Sequence, residues 1–413
     1  MSDKKRIGVL TSGGDAPGMN AAVRAVVLAA RSRGYEVLGV KEGYKGLIED
    51  KMQLLYENDV ADIVDRAGTF LYSYRCDEFN TREGLEKAQA TCIRNNIEGL
   101  VCIGGDGTFR GATEFSQLYG INCIGIPGTI DNDITATDYT IGFDTASNTA
   151  LKLADDLRHT CDSHRRCNVI EVMGRAAGDI ALHVGIAAGA QVILLKEVDF
   201  DRERDFPRIA AYLDELRRDG RRNFIVVVAE GVPLDLKYGK SLAEELAAYI
   251  NYNTGDIDEK IEAKRAADPA NKEITRPDYI ETKFARLAHV VRGGIPTMRD
   301  RKLASEMGAK AVELLAAGQT DKVICIRENK IIAEDIGYAL ALDLMYKLKL
   351  NAPYAESGRL NEKEAKKYRV NQDKYSAAVE NYSSEKLAEM EKFCEEKLSA
   401  FRAVCETAAA ISR

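Results

Sequence analysis

Short runs rich in Val, Ile and Leu alternate with longer amphipathic stretches along the first 230 residues, and this alternation limits the folds open to the chain. Arg6–Leu10, Glu36–Val40, Gly99–Ile103, Asn122–Ile126, Asn168–Val172, Gln191–Leu195 and Phe224–Ala229 read as strands. Ala21–Arg33, Thr81–Asn95, Phe143–Ser163 and Phe206–Arg218 read as helices between them. Strands that are apolar at every position are buried on both faces, which requires parallel sheets covered by helices. The expected fold class is α/β, with two doubly wound parallel-sheet (Rossmann-like) units, a cleft between them and a C-terminal helical extension. Domains are expected at 1–140, completed by a later segment of the chain, at 141–330 with a polar surface insertion over 251–279, and at 331–413.

Composition narrows the function. The net charge of −7 argues against binding nucleic acid through bulk electrostatics, so an anionic ligand would need a locally basic pocket. No apolar run approaches the about 18 residues of a membrane helix. The start, Met1 to Leu10, enters a strand pattern without a signal-peptide core, and nine cysteines without a Cys-x-x-Cys read as reduced core thiols. A cytoplasmic location is expected. From Glu362 onward ten acidic and ten basic residues accompany a stripe of Leu387, Met390, Cys394, Leu398, Phe401, Cys405 and Ala408. That spacing predicts an amphipathic helix packed on its own or a sister subunit, with docking on another partner as the alternative.

Two strands lead into glycine-rich turns that open helices. One turn is Thr11-Ser-Gly-Gly-Asp-Ala-Pro-Gly-Met-Asn20, the other Gly104-Gly-Asp-Gly-Thr-Phe109. Neither is the Gly-x-x-x-x-Gly-Lys-Ser/Thr phosphate loop. A single copy reads equally well as a tight turn, but two copies at the ends of parallel strands line one sheet edge, where helix amides meet anions. Asp106 suits Mg²⁺, or a helix N-cap, or both. A third strand ends in Pro127-Gly-Thr-Ile-Asp-Asn-Asp133. Phosphoryl transfer to an alcohol needs a carboxylate that orients the hydroxyl and takes its proton. Asp131 is the candidate base and Asp133 its support, with an Asx-rich turn as the plain alternative. Arg166, Arg175, His289 and Arg292 are dispersed cations, each read alone as a solvated surface residue.

These motifs, with Glu171-Val-Met-Gly-Arg175 and His289-Val-Val-Arg-Gly-Gly294, occur in the order found in the 6-phosphofructokinases, which the chain resembles from about Arg6 to about Arg327. The Gly-Gly-Asp-Gly-Thr motif by itself also resembles NAD kinases and lipid kinases. The resemblance implies Mg²⁺-dependent transfer from ATP to the 1-hydroxyl of fructose 6-phosphate in glycolysis. It implies Asp131 as proton acceptor, with Thr129, Asp133 and Arg175 at the catalytic centre and Asp106 on the metal. Gly14, Arg75, Cys76, Gly105, Asp106, Gly107 and Thr108 fall at nucleotide positions. Thr129, Ile130, Asp131, Met173, Gly174, Arg175, Glu230, His289, Val290, Val291 and Arg292 fall at sugar-phosphate positions. Arg166 and Lys283 fall where the family reaches into a neighbouring subunit, which implies a homo-oligomer, most simply a tetramer.

Gly107 and Gly128 stand where diphosphate-using relatives carry aspartate and lysine, which favours ATP over the diphosphate-dependent alternative. A non-catalytic regulatory subunit would be expected to lack Asp131, Asp106 or Arg175, and all three are present. Lys283 replaces a usual arginine, Cys76 a phenylalanine and Asn80 an arginine, while Val290-Val291 replaces Ile-Gln. At the family's effector positions Arg24, Arg158 and Arg221 stay basic, but Leu28 and Glu57 replace arginines and Gln191 a glutamate. Muted control by ADP or phosphoenolpyruvate is the expectation.

Overall fold

A computed structural model describes residues 5–232, 241–358 and 360–411; the first residues of the strand-like start therefore lie outside it. The chain divides into two compact units. The first comprises Met1–Ala146 and Arg292–Ser399, the second Ser147–Val291 and Ala400–Arg413.

The first unit is built on a seven-stranded sheet. In chain order its strands are β1 (Arg6–Thr11), β2 (Glu36–Val40), β3 (Met52–Leu55), β4 (Ile97–Gly104), β5 (Asn122–Pro127), β10 (Lys322–Arg327) and β11 (Lys330–Asp335). Their spatial order is β11-β10-β5-β4-β1-β2-β3. The interior pairs run parallel, and the antiparallel pairs β2/β3 and β10/β11 close the two edges. Val9, Leu10, Leu100 to Ile103, Ile124 and Ile126 are all buried, as a sheet covered on both faces requires. Helices α1 (Met19–Ser32), α2 (Gly43–Ile48), α3 (Arg82–Arg94) and α4 (Asp106–Tyr119) connect these strands.

The second unit carries a four-stranded, all-parallel sheet in the order β7-β8-β6-β9. Its strands are β6 (Arg166–Val172), β7 (Val192–Leu194), β8 (Phe224–Ala229) and β9 (Glu281–Arg286). Helix α5 (Phe143–His164) leads into it, and α6 (Asp179–Ala187), α7 (Arg202–Arg218), α8 (Leu242–Asn253) and α9 (Glu259–Ala267) follow. Asp201 starts α7 by accepting from the Arg204 amide at 2.9 Å.

The boundaries differ from those drawn on the sequence. The segment from Arg292 through α10 (Met298–Ala316) to β11 belongs to the first unit, because β10 pairs alongside β5. The polar stretch over 251–279 contains the end of α8 and all of α9. Its Gly255 amide donates to Asp214 Oδ1 at 2.9 Å, and buried Arg265 stacks on Tyr252 at 3.6 Å.

Beyond β11 come α11 (Ile336–Glu356), α12 (Glu362–Val379) and α13 (Ser384–Ile411). Asp335 starts α11 by accepting from the Tyr338 amide at 3.0 Å, and Asn361 with Glu364 forms a capping box on α12. The apolar stripe of α13 is real, and it packs on its own chain. Met390 and Cys394 are fully buried in a cluster with Ile134, Ala136, Cys325, Ile336 and Leu342. All nine cysteines are free thiols.

Candidate active site

In the first unit three adjacent parallel strands, β1, β4 and β5, end level with one another. Thr11 is paired with Ile103, and Gly104 with Pro127. The two glycine-rich turns and the carboxylate loop therefore open from one sheet edge. The turns are interlocked: the Ser12 amide donates to Ile103 O at 2.9 Å, and Thr108 Oγ1 donates to Ser12 O at 3.3 Å. A Cβ on Gly104 would lie 2.3 Å from Thr108 Oγ1 and 2.5 Å from Ser12 O, so only glycine allows this approach. Tyr44 stacks on Phe79 at 3.8 Å and donates its hydroxyl to Thr108 O at 2.7 Å, which pins the first turn of α4.

Asp106 opens α4. Its Oδ1 accepts from the Gly107 amide at 2.7 Å, and its Oδ2 pairs with Arg110 at 3.2 Å. Gly107 is open, since an added Cβ would meet nothing nearer than Arg110 Nη2 at 3.9 Å. Gly128 is not: a Cβ there would lie 2.9 Å from Met19 Cε and 3.1 Å from Ile103 Cγ2. Arg292 lies against the first turn, with Nη1 donating to Asp15 O at 2.5 Å and standing 3.1 Å from where a Cβ on Gly14 would be. The 72–76 stretch is tied to the same turn. Thr11 Oγ1 donates to Tyr72 O at 2.7 Å and Ser73 Oγ to Gly13 O at 2.6 Å. Arg75 follows, exposed, and burial raises the Cys76 thiol above its usual range, so Cys76 is a neutral wall residue at neutral pH.

The carboxylate loop leaves β5 and returns beside it. The Thr129 amide donates to Ile141 O at 3.1 Å, and the Ile141 amide to Pro127 O at 2.9 Å. Thr140 Oγ1 donates to Thr129 O at 2.7 Å, and the Thr140 amide to Asn132 Oδ1 at 3.0 Å. Asn132 takes a left-handed conformation (φ 52°), the sharp bend that separates Asp131 from Asp133. Ile130 is fully buried and Asp131 nearly so, and the Asp131 amide donates to Thr129 Oγ1 at 3.2 Å.

Sequence reasoning missed a cation here. Lys347 of α11 feels Asp343, Asp133 and Asp106; burial alone would lower its pKa, but these carboxylates outweigh burial and hold it above its ordinary value. Nothing in the helix pattern of 336–356 distinguished it from a solvated lysine.

In the second unit β6 ends in Met173-Gly174-Arg175. Gly174 (φ 155°) has Ala177 O 2.3 Å from where a Cβ would sit, and Arg175 is left-handed (φ 55°) and exposed. Glu230, at the end of neighbouring β8, holds this turn by accepting from the Arg175 amide at 2.6 Å and the Gly174 amide at 3.3 Å. His289 and Val290 are exposed, whereas Val291 is fully buried and presents no side-chain surface.

Arg166 and Lys283 converge elsewhere. Both pair with Glu281, at 2.6 and 2.9 Å, and Arg166 first and Lys283 second hold its carboxyl below the usual range. Arg166 begins β6 whereas Met173 follows its end, which separates the two by roughly 20 Å of strand. Gln191 is buried, with Oε1 accepting from the Ile225 amide at 2.7 Å and Nε2 donating to Gly189 O at 3.1 Å. Both ends of that amide are thus committed to backbone. Glu57 pairs with Arg31 at 3.2 Å.

A sheet edge that presents helix amides, a partly exposed carboxylate and a buried carboxylate loop defines a phosphate-handling α/β protein. The family model "Phosphofructokinase" matches residues 6–315, and this chain belongs to the phosphofructokinase family. It is 45% identical over 337 residues to a protein of Halothermothrix orenii named ATP-dependent 6-phosphofructokinase, covering 82% of this chain and 94% of the relative. A Bacillus subtilis protein of the same name is 46% identical over 332 residues, covering 80% and 92%. The phosphofructokinase structure from Saccharomyces cerevisiae superimposes with a TM-score of 0.71 at 32% identity, covering 84% of this chain. It covers 47% of the yeast chain, so the present chain spans about half of that protein's length.

Proposed function

We propose that the chain transfers the terminal phosphoryl group of ATP to the 1-hydroxyl of fructose 6-phosphate, releasing ADP and fructose 1,6-bisphosphate. The observation that carries this reading is the single sheet edge on which the two glycine-rich turns, at the ends of β1 and β4, stand in a row with the loop after β5 that bears Asp131. Asp131 takes the hydroxyl proton as the sugar oxygen attacks the terminal phosphorus, and the bond to the ADP oxygen breaks. Its burial keeps water from competing for that proton. Thr129 holds the Asp131 amide, and Asp133, whose charge helps keep Lys347 protonated, supports Asp131. Arg175 has its backbone fixed by Glu230, so its side chain is free to meet phosphate charge.

Asp106 is the residue that would hold Mg²⁺. Mg²⁺ is ordinarily held by one or two protein carboxylates together with phosphate oxygens, and Asp106 in the first turn of α4 is suited to that mode. When bound, Mg²⁺ neutralises phosphate charge; the protein's part is to present Asp106 at the head of α4.

Gly107 supports ATP as donor, because its open position leaves room for a nucleotide phosphate. Gly128 is fixed by packing against Met19 and Ile103, which disfavours a lysine there. The separation of Arg166 and Lys283 from Arg175 favours a homo-oligomer, most simply a tetramer, in which those two cations serve a neighbouring copy. No described helix is long and apolar enough to cross a membrane, and the proposed location is the cytoplasm.

The test is turnover of fructose 6-phosphate with Mg²⁺ and either ATP or diphosphate as sole donor. Activity with ATP alone supports the reading. Activity with diphosphate alone overturns the donor assignment, and inactivity with both, for a folded protein, overturns the enzyme reading.

A further inference from the structure

The limb that returns from Asp131 toward β5 runs through Ile134, Thr135, Ala136, Thr137 and Asp138. Two helices beyond the residues that the family model matches hold it there. Asp343 of α11 is 4% exposed, and its Oδ1 accepts from the Thr135 amide at 2.5 Å. Lys397 of α13 donates to Asp138 Oδ1 at 2.5 Å and to Thr137 O at 3.5 Å. Ile134 and Ala136, which alternate with those anchored residues, are buried in the cluster that contains Met390 and Cys394 of α13. The limb is therefore gripped by a buried carboxylate on one helix, an ammonium on another and an apolar contact between them.

The rest of the limb is held by elements inside or adjoining the sheet. Arg327 Nε donates to Ala136 O at 2.7 Å, the Ile326 amide to Thr137 Oγ1 at 2.9 Å, and the Asp138 amide to Ile326 O at 2.8 Å. Those bonds fix 136–138. None of them reaches Thr135, whose amide Asp343 holds; nearer Asp131 the loop is tied to itself, by the Thr140 amide on Asn132 Oδ1 at 3.0 Å and the Thr137 amide on Ile134 O at 3.1 Å.

We infer that Asp343 and Lys397 are positioning residues for the proposed phosphoryl transfer, through which α11 and α13 set the placement of the loop that carries Asp131 and Asp133. A loop free to drift by about 1 Å loses a large factor in rate without losing ligand contacts made elsewhere, because the reacting groups must stay within a near-attack geometry. The inference rests on the reading of Asp131 as the base, and it adds where the precision of that base comes from.

The experiment compares Asp343→Leu, Asp343→Asn, Lys397→Met and Lys397→Arg in the full-length protein. It measures kcat, KM for each substrate, thermal midpoint and amide hydrogen exchange over 128–140. Asp343→Leu removes the acceptor at similar size; Asp343→Asn keeps an oxygen in place. The expected result is a kcat at least tenfold lower in Asp343→Leu, with both KM values within about twofold and recovery of most of the rate in Asp343→Asn. Lys397→Met should lower kcat by a smaller factor, with Lys397→Arg restoring it. Exchange at the Thr135 amide should speed up in Asp343→Leu by more than the change in global stability explains.

A folded Asp343→Leu protein with unchanged kcat and unchanged exchange overturns the inference. So does a rate loss that only matches a loss of folded protein, with Asp343→Asn no better than Asp343→Leu. If the wild-type protein phosphorylates nothing, the functional reading fails, and the exchange data alone still decide whether the two helices hold the loop.

Discussion

Asp131 and Glu197 show what a single carboxylate does in two different settings. Asp131 lies in a loop whose backbone is bonded to Thr129 and to the returning strand, so it can be replaced without collapsing the loop. Asp131→Ser should lower kcat by about 10²–10⁴ while leaving both KM values near those of the wild type, because a proton acceptor acts chiefly in the transition state. Steady-state kinetics on the purified variant check this, and a raised KM with unchanged kcat would contradict it. Glu197 has no such role. Burial, and to a smaller degree Asp179, push its pKa up to about 7, against the pull of the Gly178 amide, which donates to Oε1 at 2.7 Å. The folded protein thus holds a proton that the unfolded chain releases at about 4.5. Stability should fall as pH rises from about 4.5 to about 7 and level off above, by at most about 3 kcal/mol from this group. Glu197→Gln keeps the acceptor and should flatten that slope in denaturant titrations at pH 5 and pH 8.

Among the elements, α13 makes the most direct claim on stability. Met390 is fully buried against α11 and the carboxylate limb. Met390→Ala should cost about 3 kcal/mol, read as a lower denaturation midpoint, because the cavity cannot collapse between two helices. Elements of this kind were legible where pattern and burial agree: the stripe of α13, the wholly apolar strand β8 and the largely apolar β4, β5 and β6 stand out in the sequence because nearly every position or every third to fourth position is buried. Three of the four edge strands, β3, β9 and β11, did not stand out, although the edge strand β7 did. Strand β9 reads Glu-Thr-Lys-Phe-Ala-Arg and pairs on one side only, so its exposed Lys283 and Arg286 hide it. The antiparallel edges β3 and β11 are equally half-exposed. The site followed the same rule. Glycines and aspartates on loops announced the phosphate edge, whereas Lys347 and Lys397 sit on helices among other charged residues, where a side chain that meets a distant loop looks like one that meets water. Asp343 is a lone acid in an apolar stretch of α11 whose partner, the Thr135 amide, lies 208 residues away.

At the scale of the whole molecule, the long run of strand between Arg166 and Arg175 makes a prediction about copies. If Arg166 serves a neighbour, Asp131→Ser and Arg166→Ala proteins, each nearly inactive, should regain activity when dissociated together and reassembled, since a mixed assembly contains sites with neither lesion. Activity that stays at the level of the unmixed variants would contradict a shared site. The order of the first sheet has a different consequence, for how the chain is made. Strand β5 ends at Pro127, but its outer neighbour β10 begins at Lys322. On a ribosome adding about 5–20 residues each second, the flank of β5 therefore waits roughly 10–40 s for its partner. Throughout that interval Cys123 to Ile126 offer an unpaired apolar edge, the kind that pairs with other chains. The second sheet lies wholly within the chain made during the wait and needs no later strand. Nascent chains stalled before Lys322 should thus carry a finished second sheet and an adhesive first one, and those stalled beyond Asp335 should lose that stickiness.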